Sequence, residues 1–417
     1  MRCQILALAL GVSLLSGIAS ADAPPSTPPA STPPASSGPD AIRLSPQGFL
    51  PTGQPTPLMS LLDQIGIGRP LENANIRLFG HIEGSYTYNF INPAKDLNVG
   101  RVFDLPNNQV LLNQLDFNIE RTIDLTQHRF DIGGRVELLY GSDSRFIHSN
   151  GLFDDDDFFH GPDNQFDIPQ LYVDFAIPLG NGIRVRAGKF LFFKQIDPSA
   201  SVFYSHSFSF GAALPFTLTG VTGFYPITKQ LSIEAGISRG WDQSINDNNG
   251  AINGLFRIRN DVSDQLSLSL AAICGPELDN DNSHYRTTLD FTVSYAPCDC
   301  LTLMLDGVLG TQARTSPPGD ANWYGVSVYA VYRINDYLSL GGRGEWYRDE
   351  QGFTTALPQT LYEATIGLTI TPFPKDPVGA NFRIRPEFRA DYSSQRFFDA
   401  LSRHDQYTVA LDAIFDF

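Results

Sequence analysis

The sequence predicts an all-β fold: a transmembrane, antiparallel, up-and-down β-barrel of about sixteen strands, entered through a disordered Pro-rich N-terminal segment. Three observations lead there. Strand-like runs of roughly ten residues recur from Ile76 onward, joined alternately by tight turns and long connections. Within single runs, charged residues fall on one face and apolar or aromatic residues on the other. Finally, the stretch Tyr407 to Phe417 sets Tyr407, Val409, Leu411, Ala413, Phe415 and Phe417 on one side at period two, with Thr408, Asp412 and Asp416 on the other. A strand that is apolar on one side only suits a sheet with lipid on one face and water on the other.

The chain has 417 residues and a formal net charge of −16, a balance that argues against nucleic acid as a partner. After the N-terminus no stretch reaches the roughly 18 apolar residues a transmembrane helix needs, so a membrane location must come from strands. A mean hydropathy near zero agrees, because lumen-facing polar residues dilute the lipid-facing ones.

Met1 to Ala21 reads as a secretory signal peptide. Arg2 gives the positive start, Ile5 to Leu15 the apolar core, and Ala19-Ser20-Ala21 the small-residue cleavage pattern. Cys3 precedes the core rather than following it, which speaks against a lipoprotein signal. Residues 22–57 are dense in Pro, Ser, Thr and Ala and cannot bury enough apolar surface to fold. They read as an extended periplasmic linker, either a plain spacer or an arm touching the cell wall or another partner. Residues 58–75 are a lead-in, with a short amphipathic helix over Leu58–Ile65 stopped by Gly66 and Gly68.

The barrel takes residues 76–417. Its predicted strands begin Ile76–Phe90, Gln109–Arg121, His128–Tyr140 and Phe166–Pro178, with Gly141–Gln165 as the longest connection. Ile183–Phe192, Leu214–Pro226 and Gln230–Trp241 follow. The second half pairs Ala251–Arg259 with Gln265–Cys274, Tyr285–Tyr295 with Cys300–Gly310, and Asn322–Arg333 with Tyr337–Arg348. Leu361–Pro372, Asn381–Tyr392 and the final strand close the series. An even number puts both ends of the meander on one side, and about 340 unbroken residues favour a barrel over a soluble sandwich.

In a barrel the polar faces line water. Arg135 with Glu137, Arg184 with Arg186, Arg257 with Arg259, Arg343 with Glu345, and Arg383, Arg385 and Arg389 all fall in the polar phase of their strands. Fixed charges across a low-dielectric constriction bias which ions and solutes pass; the plain alternative is that they hydrate or pair across the wall. The long connection after the third strand holds Asp154, Asp155, Asp156 and Asp157, flanked by Phe153, Phe158 and Phe159. Folded inward, these carboxylates would face the arginines and set the narrowest point. Left outside, they are a solvated acidic loop or a surface site for Ca²⁺, although the spacing does not match an EF-hand.

Enzymatic readings are weak. The seven histidines are scattered, with no HExxH and no GxSxG. A hydrolase at the rim would have to draw on His148, His160, His206 and His284, which lie in or beside predicted external loops. Cys298-Asp299-Cys300 invites a metal or redox reading; without a second Cys or His pair at metal spacing, no zinc site is expected. Cys274 and Cys298 fall at opposite ends of neighbouring strands, roughly 25–30 Å apart, and are not expected to bridge.

The centre of the chain resembles the OmpL-like outer-membrane β-barrel porins. The residues carrying the likeness are Ile196-Asp197-Pro198, Phe203-Tyr204-Ser205-His206-Ser207, Pro215 to Val221 (PFTLTGV) and Ser238-Arg239-Gly240-Trp241-Asp242. Gly80–Tyr88 and the terminal Phe417, which is like the aromatic signal read by barrel-assembly machinery, agree with it. The family tends to carry His where this chain has Leu218, so any role of that His is absent. The resemblance implies an outer-membrane barrel passing small solutes and supplies no catalytic residues. The expectation is therefore a porin in the outer membrane. Small hydrophilic solutes or ions diffuse through its charged lumen, with no cofactor and no metal, and a homo-trimer is one possible assembly. The alternative is a plugged structural or surface-binding barrel acting through its external loops and Pro-rich arm.

Overall fold

The computed structural model describes residues 56–153, 163–194, 196, 198–315 and 319–417. The predicted signal peptide, almost all of the linker and the Asp154–Asp157 run lie outside the described residues. The first half of the wall is β1 (Ile76–Asn89), β2 (Gln109–Arg121), β3 (Asp131–Gly141), β4 (Gln165–Asp167), β5 (Leu171–Ile177), β6 (Ile183–Phe190), β7 (Leu218–Pro226), β8 (Leu231–Ser238) and β9 (Asn253–Ser263). The second half is β10 (Leu266–Leu278), β11 (Asp281–Cys298), β12 (Leu301–Thr315), β13 (Gly319–Asn335), β14 (Leu338–Asp349), β15 (Gln359–Ile370), β16 (Phe382–Ser393) and β17 (Asp405–Asp416).

These 17 segments form one antiparallel sheet. β4 and β5 both pair with β3 and are two halves of one broken strand, so the wall has one crossing fewer than segments, sixteen. The ladder closes where β17 pairs with β1, from His81 opposite Asp416 to Asn89 opposite Thr408. Beyond the last pair, Gly80 N donates to Phe417 O at 3.0 Å and Phe417 N donates back to Gly80 O at 2.8 Å. Closure leaves the sheet without a free edge, the condition for a β-structured backbone to cross lipid.

The two faces differ as a period-two pattern demands. Outward positions such as Val328 and Ile366 stay 51% and 54% exposed although apolar. Exposed aromatics form two belts: Tyr86, Tyr140, Trp346, Tyr362, Tyr392 and Tyr407 near one rim, and Phe130, Tyr295, Tyr332, Tyr337 and Phe373 near the other. Such girdles mark the two water–lipid boundaries. The second belt lies at the end where β1 begins and β17 ends, beside the connections 178–182, 227–230, 264–265, 299–300 and 336–337.

Long connections gather at the opposite end, but the alternation is less strict than the sequence suggests. β10 passes to β11 across residues 279–280, because strands of 13 to 18 residues carry the ladder further there. The longest connection is also not the predicted one. Between Gly141 and Gln165 lie 23 residues, whereas 27 separate Phe190 from Leu218.

Ahead of the barrel, Pro57–Gln64 is helical, with Thr56 as N-cap accepting from Met59 N at 3.4 Å. Gly66 ends this turn at φ +80°, as expected. Gly68 does not stop a helix; it opens a second one, Gly68–Asn73. The buried Met59 packs the first helix against β1, its sulfur accepting from Leu78 N.

Candidate functional site, a segment seated in the lumen

Residues 191–217 leave β6, enter the barrel and return to β7. Their composition explains why they do not stay in water: Phe192, Phe193, Phe203, Phe208 and Phe210 would be a large apolar load on an exposed loop. Inside, all five are buried. Phe192, Phe193 and Phe208 join Trp323, Tyr347 and Leu361 of the inner wall in one cluster. Phe210 joins a second cluster with Val102, Phe103, Leu139 and Ile147.

An irregular backbone inside a wall needs partners for its polar groups. The wall supplies them mainly from charged side chains. Glu345 on β14 accepts from Phe208 N (2.6 Å), Ser209 N (2.8 Å) and Ser209 Oγ (2.6 Å), capping the short helix Phe208–Ala212. Glu387 on β16 accepts from Tyr204 N at 2.9 Å and Ser205 N at 3.2 Å. The carbonyls are met by arginines. Arg343 donates to Ser205 O at 2.7 Å, Arg385 to Pro198 O and Ser201 O at 3.0 and 2.7 Å, and Arg389 to His206 O. Lys194 extends from the segment to Asp290 and Asp306 at 2.8 and 2.6 Å.

The wall is also shaped for the segment. A Cβ at Gly325 would lie 2.1 Å from Ser209 Oγ, and one at Gly341 or Gly367 would meet the Phe203 ring at 3.1 Å. None of these three glycines has a positive φ, so close approach, not backbone conformation, accounts for the missing side chains: of the segment at Gly325 and Gly341, and of both the segment and Pro386 O of the next strand, 3.0 Å away, at Gly367. Residues 90–108 add a second inward contact. Arg101 is buried between Asp104 and Asp391, 2.7 Å from the latter, and the Phe103 ring stands against His206 and Phe210.

The strand charges singled out in the sequence, from Arg135 to Arg389, all face inward, each with an oppositely charged or polar partner. Arg135 lies 2.9 Å from Glu137, whose carboxylate also accepts from Gln170. Arg186 and Asp174 form a two-pronged pair at 2.9 and 2.8 Å. Arg184 lies 2.9 Å and Arg257 3.8 Å from Glu234, while Arg259 pairs with Asp261 nearer the short-turn end. Arg343 pairs with Glu363 at 2.8 Å, Arg385 with Asp412 at 3.0 Å, Arg389 with Asp391 at 2.8 Å, and Arg383 with Asp416. They are not a bare ladder facing solvent. Arg343, Arg385 and Arg389 are at most 5% exposed, because the inserted segment lies over them.

Sequence reasoning sought the constriction in Asp154–Asp157, which lie outside the described residues. It missed the role of 191–217 and with it Lys194, Asp290, Asp306 and Arg101. The signal that could have found it was the aromatic density of 191–210, too great for a solvated connection. Cys298 does not bridge Cys274, in line with the expectation; it is joined to Cys300. Among the described residues no group of His, Cys, Asp and Glu is arranged to hold a metal ion.

A closed sixteen-crossing wall with aromatic girdles, a charged interior and an inserted connection defines the porin class of membrane barrel. The chain belongs to the OmpL-like porin family: the family model described as "Putative beta-barrel porin-2, OmpL-like" matches residues 75–417. No curated protein matches it in sequence. Among solved structures, the anion-selective porin from Comamonas acidovorans aligns with a TM-score of 0.56 at 13% identity, over 82% of this chain and 99% of that one. Pseudomonas putida OprB gives 0.55 at 11%, over 85% and 97%, and the outer membrane channel DcaP of Acinetobacter baumannii 0.54 at 12%, over 82% and 97%. At these identities the likeness is one of fold. Family and fold point to a channel rather than an enzyme, and to the outer membrane.

Proposed function

We propose that the chain is an outer-membrane porin through which small hydrophilic solutes or ions diffuse passively, with segment 191–217 setting the width and charge of the route. The observation that carries this reading is the anchoring of that segment across the lumen by wall carboxylates and arginines. Charges of both signs, fixed by pairing, then face whatever space the segment leaves, and fixed charge at a narrow point is what discriminates among ions. Flux follows concentration gradients, so the reading calls for no cofactor. Export by the predicted signal peptide and residence in a lipid bilayer belong to the same proposal. So do contact of the Pro-rich arm with the cell wall and assembly as a homo-trimer, the form named for OmpT of Vibrio cholerae.

A second reading has its own support. Arg343, Glu345, Glu363 and Arg389 are buried beneath the inserted segment, which favours a plugged barrel acting through its external loops and arm. Single-channel conductance in planar bilayers separates the two. The porin reading predicts discrete steps from the native chain, and larger ones when residues 198–212 are replaced by a Gly/Ser stretch. Steps only from the replacement favour the plugged barrel, and absence of steps from both, with the barrel folded, rejects diffusion.

A further inference from the structure

The turn between β11 and β12 carries Cys298-Asp299-Cys300, with the two sulfurs joined and their Cα atoms 5.3 Å apart. The bridge adds little to the fold. Its ring encloses one residue, Asp299, so it removes little loop entropy from the unfolded chain. The turn is also held without it: Cys298 and Leu301 are ladder partners, Arg333 N donates to Cys300 O at 2.8 Å, and Ala296 N donates to Gln265 O at 2.8 Å. Cys298 and Asp299 are exposed, and Cys300 is half-buried. Cys274 does not compete, since it sits near the far end of β10 with Thr287 Oγ1 donating to its sulfur. An exposed bridge that the fold does not need has the character of a labile, exchanging disulfide.

We propose that Cys298–Cys300 is a thiol–disulfide exchange site that oxidises dithiols reaching the short-turn end of the barrel. One thiol of the donor loses its proton and attacks Cys298 Sγ. The Sγ–Sγ bond breaks, and its electron pair leaves on Cys300 as a thiolate. The donor's second thiol, deprotonated in turn, attacks the donor sulfur of the mixed disulfide and releases Cys298 as a thiolate. The donor ends as a disulfide, the chain as two thiols, and the two protons lost by the donor are taken up by Cys298 and Cys300. The pairing of two thiols in one donor makes the second step intramolecular, which is why a dithiol is the assigned class.

The test uses the folded, mature-length protein with C274S, so that only this pair is counted. It is treated with dithiothreitol or, at equal thiol concentration, with glutathione, then acid-quenched and labelled with a mass-tagged maleimide. The proposal expects a shift of two tags per chain with dithiothreitol while the barrel keeps its folded, heat-modifiable migration, and several-fold less with glutathione. Tags that appear only after unfolding overturn the proposal, and equal reduction by both reagents overturns the dithiol class. Two further variants locate the attack. C300S is expected to form a mixed disulfide with oxidised glutathione faster than C298S; the reverse order overturns Cys298 as the attacked sulfur. If C298S/C300S fails to assemble, the bridge is structural and the proposal falls.

Discussion

Glu345→Ala is the sharpest perturbation of the seated segment. The wild-type carboxylate takes donations from Phe208 N, Ser209 N and Ser209 Oγ at 2.6, 2.8 and 2.6 Å. Alanine leaves two buried backbone donors without acceptors, at about 1–3 kcal/mol each. The hydroxyl can rotate to another partner, and relief of the carboxylate's own desolvation returns part of the loss. The net is about 2–4 kcal/mol against the seated state, a shift of roughly 30- to 700-fold in its population relative to released states. Two assays read it: protease cleavage within 198–212 in detergent-solubilised, folded protein, and conductance noise in bilayers. The variant is expected to be cleaved faster and to fluctuate between conductance levels, with Glu345→Gln intermediate because it keeps one acceptor oxygen. Cleavage and conductance indistinguishable from wild type, in a variant that still folds, would mean that Glu345 does not hold the segment in place.

Other consequences can be measured separately. Gly341→Leu drives a side chain into the seat of Phe203 and should destabilise the inserted segment by about 1–3 kcal/mol, read as faster hydrogen exchange in 198–210 with β14 protection retained. Val328→Arg puts a charge on the lipid face and should lower barrel stability by about 2–4 kcal/mol in urea refolding into lipid; Val328→Leu should be neutral. In the turn 122–130, hydrogen bonds from Thr126 and Gln127 hold the exposed Asp124 carboxyl below the usual carboxylate range. The contribution of that cap is therefore complete above the unfolded value of about 3.9 and is lost as pH falls through the depressed folded value. Exchange of Thr126 N–H should accelerate relative to neighbouring turns over that acid range, and Asp124→Asn should abolish the dependence.

The wall was legible because its constraint is local. Period-two alternation is imposed residue by residue wherever one side meets lipid and the other does not, and runs such as Phe382–Ser393, with Arg383, Arg385, Glu387, Arg389 and Asp391 on one face, declare it openly. Inward placement of Arg184, Arg257 and Arg343 follows from the same parity. What fills the lumen is a matter of long-range complementarity. That Glu345 caps Phe208 across 137 positions, or that Gly341 is small because Phe203 rests on it, leaves no periodic trace in either stretch. Length did not separate the two connections: the β3–β4 one drew the constriction assignment through its four aspartates, which lie outside the described residues, while the β6–β7 one carries the aromatic load that an interior absorbs.

The seat of segment 191–217 across the lumen can be tested directly with a tether. S209C with G325C, in a C274S background, puts two sulfurs where the wild-type hydroxyl lies 2.1 Å from the Cβ position of residue 325. In outer membranes, read on gels by the migration of the denatured chain, the pair should bridge in nearly all molecules without added oxidant and resist a water-soluble maleimide. Two free thiols, both labelled by that maleimide, would mean that the segment does not sit across the lumen.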